Sequence, residues 1–276
     1  MLTLFPKFKK RMIIFEVVYV ALMVTLYVLK PTASPIALAL MLIVGGLFIA
    51  AAQYINAVNT HNRQLNRLYN QLDAEGFLKE YELHLQQNPS NPQLYTMVRL
   101  HLTNAYAAQG RFDEAMKLLT STPIRACKKP EQTLMNRFAV TSNLCYCAEQ
   151  MGDLDTAKKY LDELHGYKNE LEEIQKTKKP KQRMAFSCEL NDQCMKLLST
   201  GKCDVQALKT QVQSNNTQQL HRITTSLWIA RAYLAEQNRR EAENILQQIV
   251  KLAPDLYPGK EAARMLAELP AAAQAK

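Results

Sequence analysis

The stretch Asn104–Leu119, NAYAAQGRFDEAMKLL, decides the fold. Counted from Tyr106, Gly110 follows four residues on, Phe112 six on, Ala115 nine on and Leu119 thirteen on. Apolar positions at helical spacing lie on both sides of the glycine, so the segment predicts a helix, a tight turn and a second helix folded back on the first. Gly110 relaxes the backbone at the turn. Ala115 falls where the two helices cross, where a larger side chain would push them apart, and Leu119, one turn further along the same face, fills the core.

Two more segments keep these offsets. In CAEQMGDLDTAKKYL, residues 147–161, Ala148 takes the aromatic's place and Gly152, Leu154, Ala157 and Leu161 follow in step. In RAYLAEQNRREAENIL, residues 231–246, Tyr233, Ala242 and Leu246 keep their places, no glycine stands at the turn, and Pro254 closes the unit twelve residues after the alanine. The combination of aromatic, turn glycine, small crossing residue and late proline resembles the tetratricopeptide repeat, a helix-turn-helix unit of about 34 residues. The spacing between copies is irregular. Ala115 and Ala157 are 42 residues apart, with the extra residues expected around Cys127–Pro130, and Ala157 and Ala242 are 85 apart, with room for a degenerate pair at Met184–Leu198 and Asp204–Val212 around Gly201. Asn62–Ala74 and Phe77–Leu85 form a candidate opening pair.

The resemblance implies an all-α solenoid whose inner wall is formed by the first helix of each unit, a wall that the family uses to hold an extended peptide or a partner helix. Asn104 and Asn143 match positions where family members that grip a peptide's C-terminal carboxylate place asparagines. The family's first lysine is replaced here by Leu100, so carboxylate gripping is not expected, whereas an amide pair that bonds peptide backbone is. Tyr146 and Arg231 share the inner wall by the same spacing. The alternative for all four is an ordinary packing or helix-surface role.

Upstream, the apolar runs Met12–Leu29 and Ile36–Ile55 are separated by the Lys30–Pro35 turn. Eighteen to twenty residues at about 1.5 Å each reach roughly 27–30 Å, the hydrocarbon thickness of a bilayer. The runs therefore predict a two-helix transmembrane hairpin. Lys7, Lys9, Lys10 and Arg11 precede it and Arg63 and Arg67 follow it, against Lys30 alone in the turn, which places both termini in the cytoplasm. The expected organisation is a basic cytoplasmic tail over 1–11, the hairpin over 12–55, the repeat domain over 56–269 and a flexible tail over 270–276. Glu16, the only acidic residue in the runs, reads as an interfacial carboxylate that snorkels toward the basic flank, or as an ion site. Gly45, Gly46 and Ala50 give the second helix a flat stripe suited to packing within the hairpin or to self-association.

Composition narrows the functional classes. The net charge is +9, but the first thirty residues hold five of the basic residues and one acidic residue, which leaves the rest at +5. That is mild for a domain living on phosphate contacts, so no nucleic acid is expected. The six cysteines form no Cys-x-x-Cys pair and read as small buried hydrophobes, and the five histidines are scattered without a metal-ligand spacing. Gly201-Lys202-Cys203 lacks the earlier glycine and the hydroxyl of a phosphate loop. No cofactor, metal or catalytic group is expected. Lys176–Arg183, with five basic residues around Pro180, reads as a solvated loop or as a contact to anionic lipid. The leading expectation is a membrane-anchored adaptor that binds a protein partner. The alternative is an accessory subunit or assembly factor of a membrane transport or secretion complex, working through its hairpin.

Overall fold

The computed structural model describes residues 4–29, 34–87, 91–174, 178–213 and 218–269. Among them the chain is all-helical. Its helices are α1 (Pro6–Leu29), α2 (Pro35–Tyr69), α3 (Ala74–Tyr81), α4 (Leu83–Gln86), α5 (Pro92–Ala108), α6 (Phe112–Thr120), α7 (Pro130–Met151), α8 (Leu154–Glu173), α9 (Lys178–Thr200), α10 (Val205–Gln213), α11 (Gln219–Ala235), α12 (Arg239–Leu252) and α13 (Tyr257–Glu268). It divides into two compact units, one of Met1–Leu65 with Gln86–Pro89 and the other of Asn66–Leu85 with Ser90–Lys276.

In the first unit α1 and α2 run antiparallel. The Tyr19 hydroxyl donates to the Met41 carbonyl at 2.7 Å, and the Phe5 ring meets His61 edge-on with centroids 6.4 Å apart. Gly45 makes this approach possible, because a Cβ there would lie 2.2 Å from the Tyr19 ring, whereas a Cβ on Gly46 would meet nothing within 4 Å. The two glycines therefore face different surroundings. Met12, Glu16, Tyr19, Met23 and Tyr27 form the half-buried stripe of α1, so Glu16 lies on its more sheltered face. The remaining surface is apolar and bare. Both helices are long and apolar enough to cross a membrane, and none of either's most apolar window is buried.

Two boundaries differ from the expectation. α1 begins at Pro6, so Lys7, Lys9, Lys10 and Arg11 are helical rather than a separate tail. α2 passes Ile55 without a break and runs to Tyr69, because the change from apolar to polar residues there alters which solvent the helix suits, not its backbone preference. Arg67, near its end, is ion-paired with Asp73 and, at 2.7 Å, with Glu80. The Lys30–Ala33 part of the turn and the tail over 270–276 lie outside the described residues.

The second unit repeats one turn three times. Arg111 N–H donates to the Tyr106 carbonyl at 2.9 Å, Asp153 N–H to Ala148 at 3.0 Å and Asn238 N–H to Tyr233 at 2.8 Å, each spanning five residues at a helix end. The residue before each donor is left-handed: Gly110 at φ 81°, Gly152 at 75° and Gln237 at 60°. Gln237 thus adopts the glycine's conformation despite its Cβ, a cost of about 1–2 kcal/mol. Asp153 and Asn238 then cap the next helix by accepting from the amides of Thr156 and Glu241. Ala115, Ala157 and Ala242 are fully buried at the crossings, with Leu119, Leu161 and Leu246 buried beyond them. α5 packs on α6 and α7, α7 on α8 and α9, and α11 on α10, α12 and α13.

α9 and α10 form the expected degenerate pair. α9, however, starts at Lys178 and runs through Pro180, so the basic segment is not a loop from that point on. Proline is tolerated in a first turn, whose N–H groups have no intrahelical acceptor. Lys176 and Thr177 lie outside the described residues.

Candidate functional site

The first helices of successive pairs share a wall. α5 contributes Asn104, Ala107 and Ala108, α7 Ser142, Asn143 and Tyr146, α9 Ser187, Leu190 and Asn191, and α11 Leu220, His221 and Thr224 to one cavity of about 290 Å³, with Tyr69 and Gln218 completing it. Three of the four residues predicted from sequence meet there. The helical period explains it, since Asn104 shares a face with Ala107 and Ala108, and Asn143 with Tyr146.

The lining is neutral, with no Asp, Glu, Lys or Arg in it. Burial pushes the His221 imidazole below its ordinary pKa, which disfavours its charged form. Hydrogen bonds fix the polar groups in place. Asn104 Nδ2 donates to the Tyr69 hydroxyl at 2.8 Å, and that hydroxyl lies 2.6 Å from His101 Nδ1. Asn143 Nδ2 donates to the Ala139 carbonyl of its own helix at 2.9 Å. The Ser142 and Ser187 hydroxyls, 3.1 Å apart, join α7 to α9, and Asn191 Nδ2 donates to the Ser187 carbonyl at 3.0 Å. Each asparagine spends one amide hydrogen in this way, and a carboxamide carries a second hydrogen and two carbonyl lone pairs. The cavity suits neutral donors and acceptors, such as peptide groups.

Arg231 is not part of this lining. Its guanidinium lies 4.6 Å over the Trp228 ring and donates to Gln150 Oε1 and to Glu261 Oε1, both at 3.2 Å. Tyr257 also donates to Gln150 Oε1, at 3.3 Å, and packs edge-on against Phe112 with centroids 4.8 Å apart. Arg231 therefore helps to hold α13 against the ends of α7 and α11. Behind the wall Glu149 is buried, and burial raises its pKa to about 8 despite the Cys145 thiol donating to Oε1 at 3.5 Å and the nearby Arg231 charge. Cys145, Cys147, Cys188 and Cys194 are buried, and burial pushes the Cys147 thiol up to about 12.

Ser187, Asn191, His221 and Thr224 escape the sequence reading. Ser187 and Asn191 are four residues apart and so share a helix face, but their pair is too degenerate to say which face is inward. Among the described residues no three His, Cys, Asp or Glu side chains are placed to hold a metal ion.

Residues 99–131 and 225–255 each match the tetratricopeptide repeat family, covering most of the α5–α6 pair and of the α11–α12 pair. With two matched copies and the turn repeated at Gly152, the second unit contains tetratricopeptide repeats. Repeats of this family generally serve as protein-interaction scaffolds. No curated protein and no solved structure matches the chain.

Proposed function

We propose that the protein is a membrane-anchored adaptor that holds a segment of a protein partner in the cavity lined by α5, α7, α9 and α11. The neutral, hydrogen-bonded lining carries this reading. Asn104 and Asn143 pair with peptide groups, Tyr146 offers its ring, and Arg231 acts indirectly by holding α13. Within α1 and α2, residues 12–55 cross the bilayer twice with both ends in the cytoplasm, and the repeats from residue 56 onward work at the cytoplasmic surface. The bare apolar exterior of both helices and the basic residues Lys7, Lys9, Lys10, Arg11 and Arg63 support that placement. The role is binding rather than catalysis.

A second reading places the function in the hairpin, as a subunit of a larger membrane complex. What favours it is Gly46, which a Cβ would leave in open space on a helix whose neighbouring glycine is already used inside the hairpin. Photo-crosslinkers at Asn191 and His221, with Lys117 on the exposed face of α6 as control, separate the two in native membranes. The adaptor reading expects a discrete partner from the cavity positions, absent from Lys117, and weakened in Asn104→Ala/Asn143→Ala by about fivefold per lost neutral bond. Capture that survives the asparagine pair but is lost on Glu16→Gln or Gly46→Leu assigns the function to the hairpin.

A further inference from the structure

Asn191 repeats on α9 the arrangement of Asn143 on α7. Each donates one amide hydrogen to the carbonyl four residues back in its own helix, Asn143 to Ala139 at 2.9 Å and Asn191 to Ser187 at 3.0 Å, and α7 and α9 pack side by side. Asn104 on α5 spends one hydrogen on the Tyr69 hydroxyl instead. Three carboxamides from three inner helices thus line one cavity, each held at one N–H with a second N–H and a carbonyl oxygen left over. Asn191 is 5% exposed, so the part of it that stays accessible opens into the cavity.

The anchoring fixes these side chains before any ligand arrives, which lowers the entropy cost of binding. Tyr146 is held as well, its ring edge-on to Phe112 with centroids 6.3 Å apart. Among the described residues its hydroxyl and the His221 imidazole have no hydrogen-bond partner, which adds two unspent polar groups to the lining. None of these groups favours an ion. A spare N–H beside a spare carbonyl on the same carboxamide gives neither sign an advantage, the lining holds no Asp, Glu, Lys or Arg, and burial disfavours the imidazolium form of His221. A charged group brought in would lose its water without gaining a counter-charge.

Resting on the adaptor reading above, we propose that the segment held in the cavity is an internal stretch of uncharged polar residues, gripped at its peptide groups by Asn104, Asn143 and Asn191, and that acidic and basic side chains and charged chain ends are excluded. Peptide groups supply the acceptors and donors that the carboxamides have left to pair, and Asn, Gln, Ser or Thr side chains do the same for Tyr146 and His221. The test selects random peptide loops, displayed on phage with a linker at each end, against the full chain in phosphatidylcholine nanodiscs, with empty discs as counter-selection. Selected loops are then made as acetylated and amidated peptides, and their affinity is measured by calorimetry.

Enriched loops should share a stretch rich in Asn, Gln, Ser or Thr, and one Asp or Lys placed within it should weaken binding roughly tenfold or more. Asn191→Ala should weaken it as much as Asn104→Ala does, about fivefold, with an unaltered circular dichroism melt. Gln218 lines the cavity and makes no side-chain capping bond, so Gln218→Glu adds a carboxylate there without disturbing the wall. That variant should relax the exclusion of Lys and leave the exclusion of Asp in place. Loops with an invariant Asp, Glu, Lys or Arg that still depend on Asn104 and Asn143 overturn this inference and leave the adaptor reading standing. So does uncharged binding that ignores Asn191→Ala, or an exclusion of Lys that Gln218→Glu does not change. No enrichment over empty discs, or enrichment indifferent to all three asparagines, overturns the adaptor reading itself, and the inference falls with it.

Discussion

The hairpin and the repeats dispose of apolar surface in opposite directions. On α2, Phe48 is 73% exposed and Leu47 and Ile43 are bare, whereas in the repeats Leu102, Leu119 and Leu246 are at most 1% exposed. The difference is already present in the pattern. Met12–Leu29 and Ile36–Ile55 are apolar on all sides, so no single packing partner can cover them, while the repeat helices alternate apolar and polar faces at the helical period. A uniformly apolar helix without a protein cover is stable in hydrocarbon; a striped one is stable against another helix in water.

The contrast breaks most visibly at Glu149, the one carboxylic acid buried among the described residues. Its folded pKa of about 8 lies above the ordinary 4.5, so the folded state binds the proton more tightly. The resulting stability is full below about pH 4.5 and is lost as pH rises through about 8, at up to about 1.4 kcal/mol per pH unit. Glu149→Gln removes this dependence. At pH 8 the variant should be more stable by on the order of 4 kcal/mol in urea melts, and near pH 4 the two chains should converge.

Ile43→Arg tests the hairpin side. A charge near the centre of a span costs about 2.5–3.5 kcal/mol of insertion, so the chain should leave the membrane fraction, while Lys117→Arg on α6 changes nothing. Full membrane recovery of Ile43→Arg would mean that the bare face of α2 is not in lipid. Inside the repeats, Ala115→Leu and Ala242→Leu overpack the helix crossings and should each cost about 1–3 kcal/mol, with Lys117→Ala as the silent control in thermal melts. Equal losses at all three would misplace the pairing.

The smallest effects come from the turns, where the first and last copies differ. Gly110→Ala forces a Cβ into a left-handed position 3.0 Å from the Tyr257 ring and should destabilise by about 1–2 kcal/mol. Gln237→Gly relieves the same strain and should stabilise by up to about 1 kcal/mol, less whatever entropy the unfolded glycine gains. Opposite signs in differential scanning calorimetry are the expected outcome.

The turns and crossings were legible in the sequence because a glycine and an alanine leave little choice of position: Gly110 and Gly152 mark left-handed residues, and Ala115, Ala157 and Ala242 mark contacts too close for a larger side chain. The place of Asn104, Asn143 and Tyr146 on the cavity wall was legible for a related reason, since short or rigid side chains stay on the face that the helical period assigns. Arg231 occupies the repeat position of Asn104 and Tyr146, but its long side chain reaches Gln150 and Glu261, and spacing alone does not choose among neighbours within its reach. Gln237 took the turn geometry without the residue that announces it. The continuation of α2 past Ile55 was hidden because hydropathy changes there while helix propensity does not. Ser187 and Asn191 needed the register of a degenerate pair, which only packing supplies.

The proposed arrangement, a lipid-embedded hairpin with cytoplasmic repeats, is tested most directly by thiol labelling in intact cells. In a background with Cys127→Ser and Cys203→Ser, which removes the two half-exposed native thiols, Ser34→Cys between α1 and α2 and Lys117→Cys on α6 are offered a membrane-impermeant maleimide. The account predicts that Ser34→Cys is labelled from outside and that Lys117→Cys is labelled only after permeabilisation. Labelling of Lys117→Cys in intact cells would contradict it.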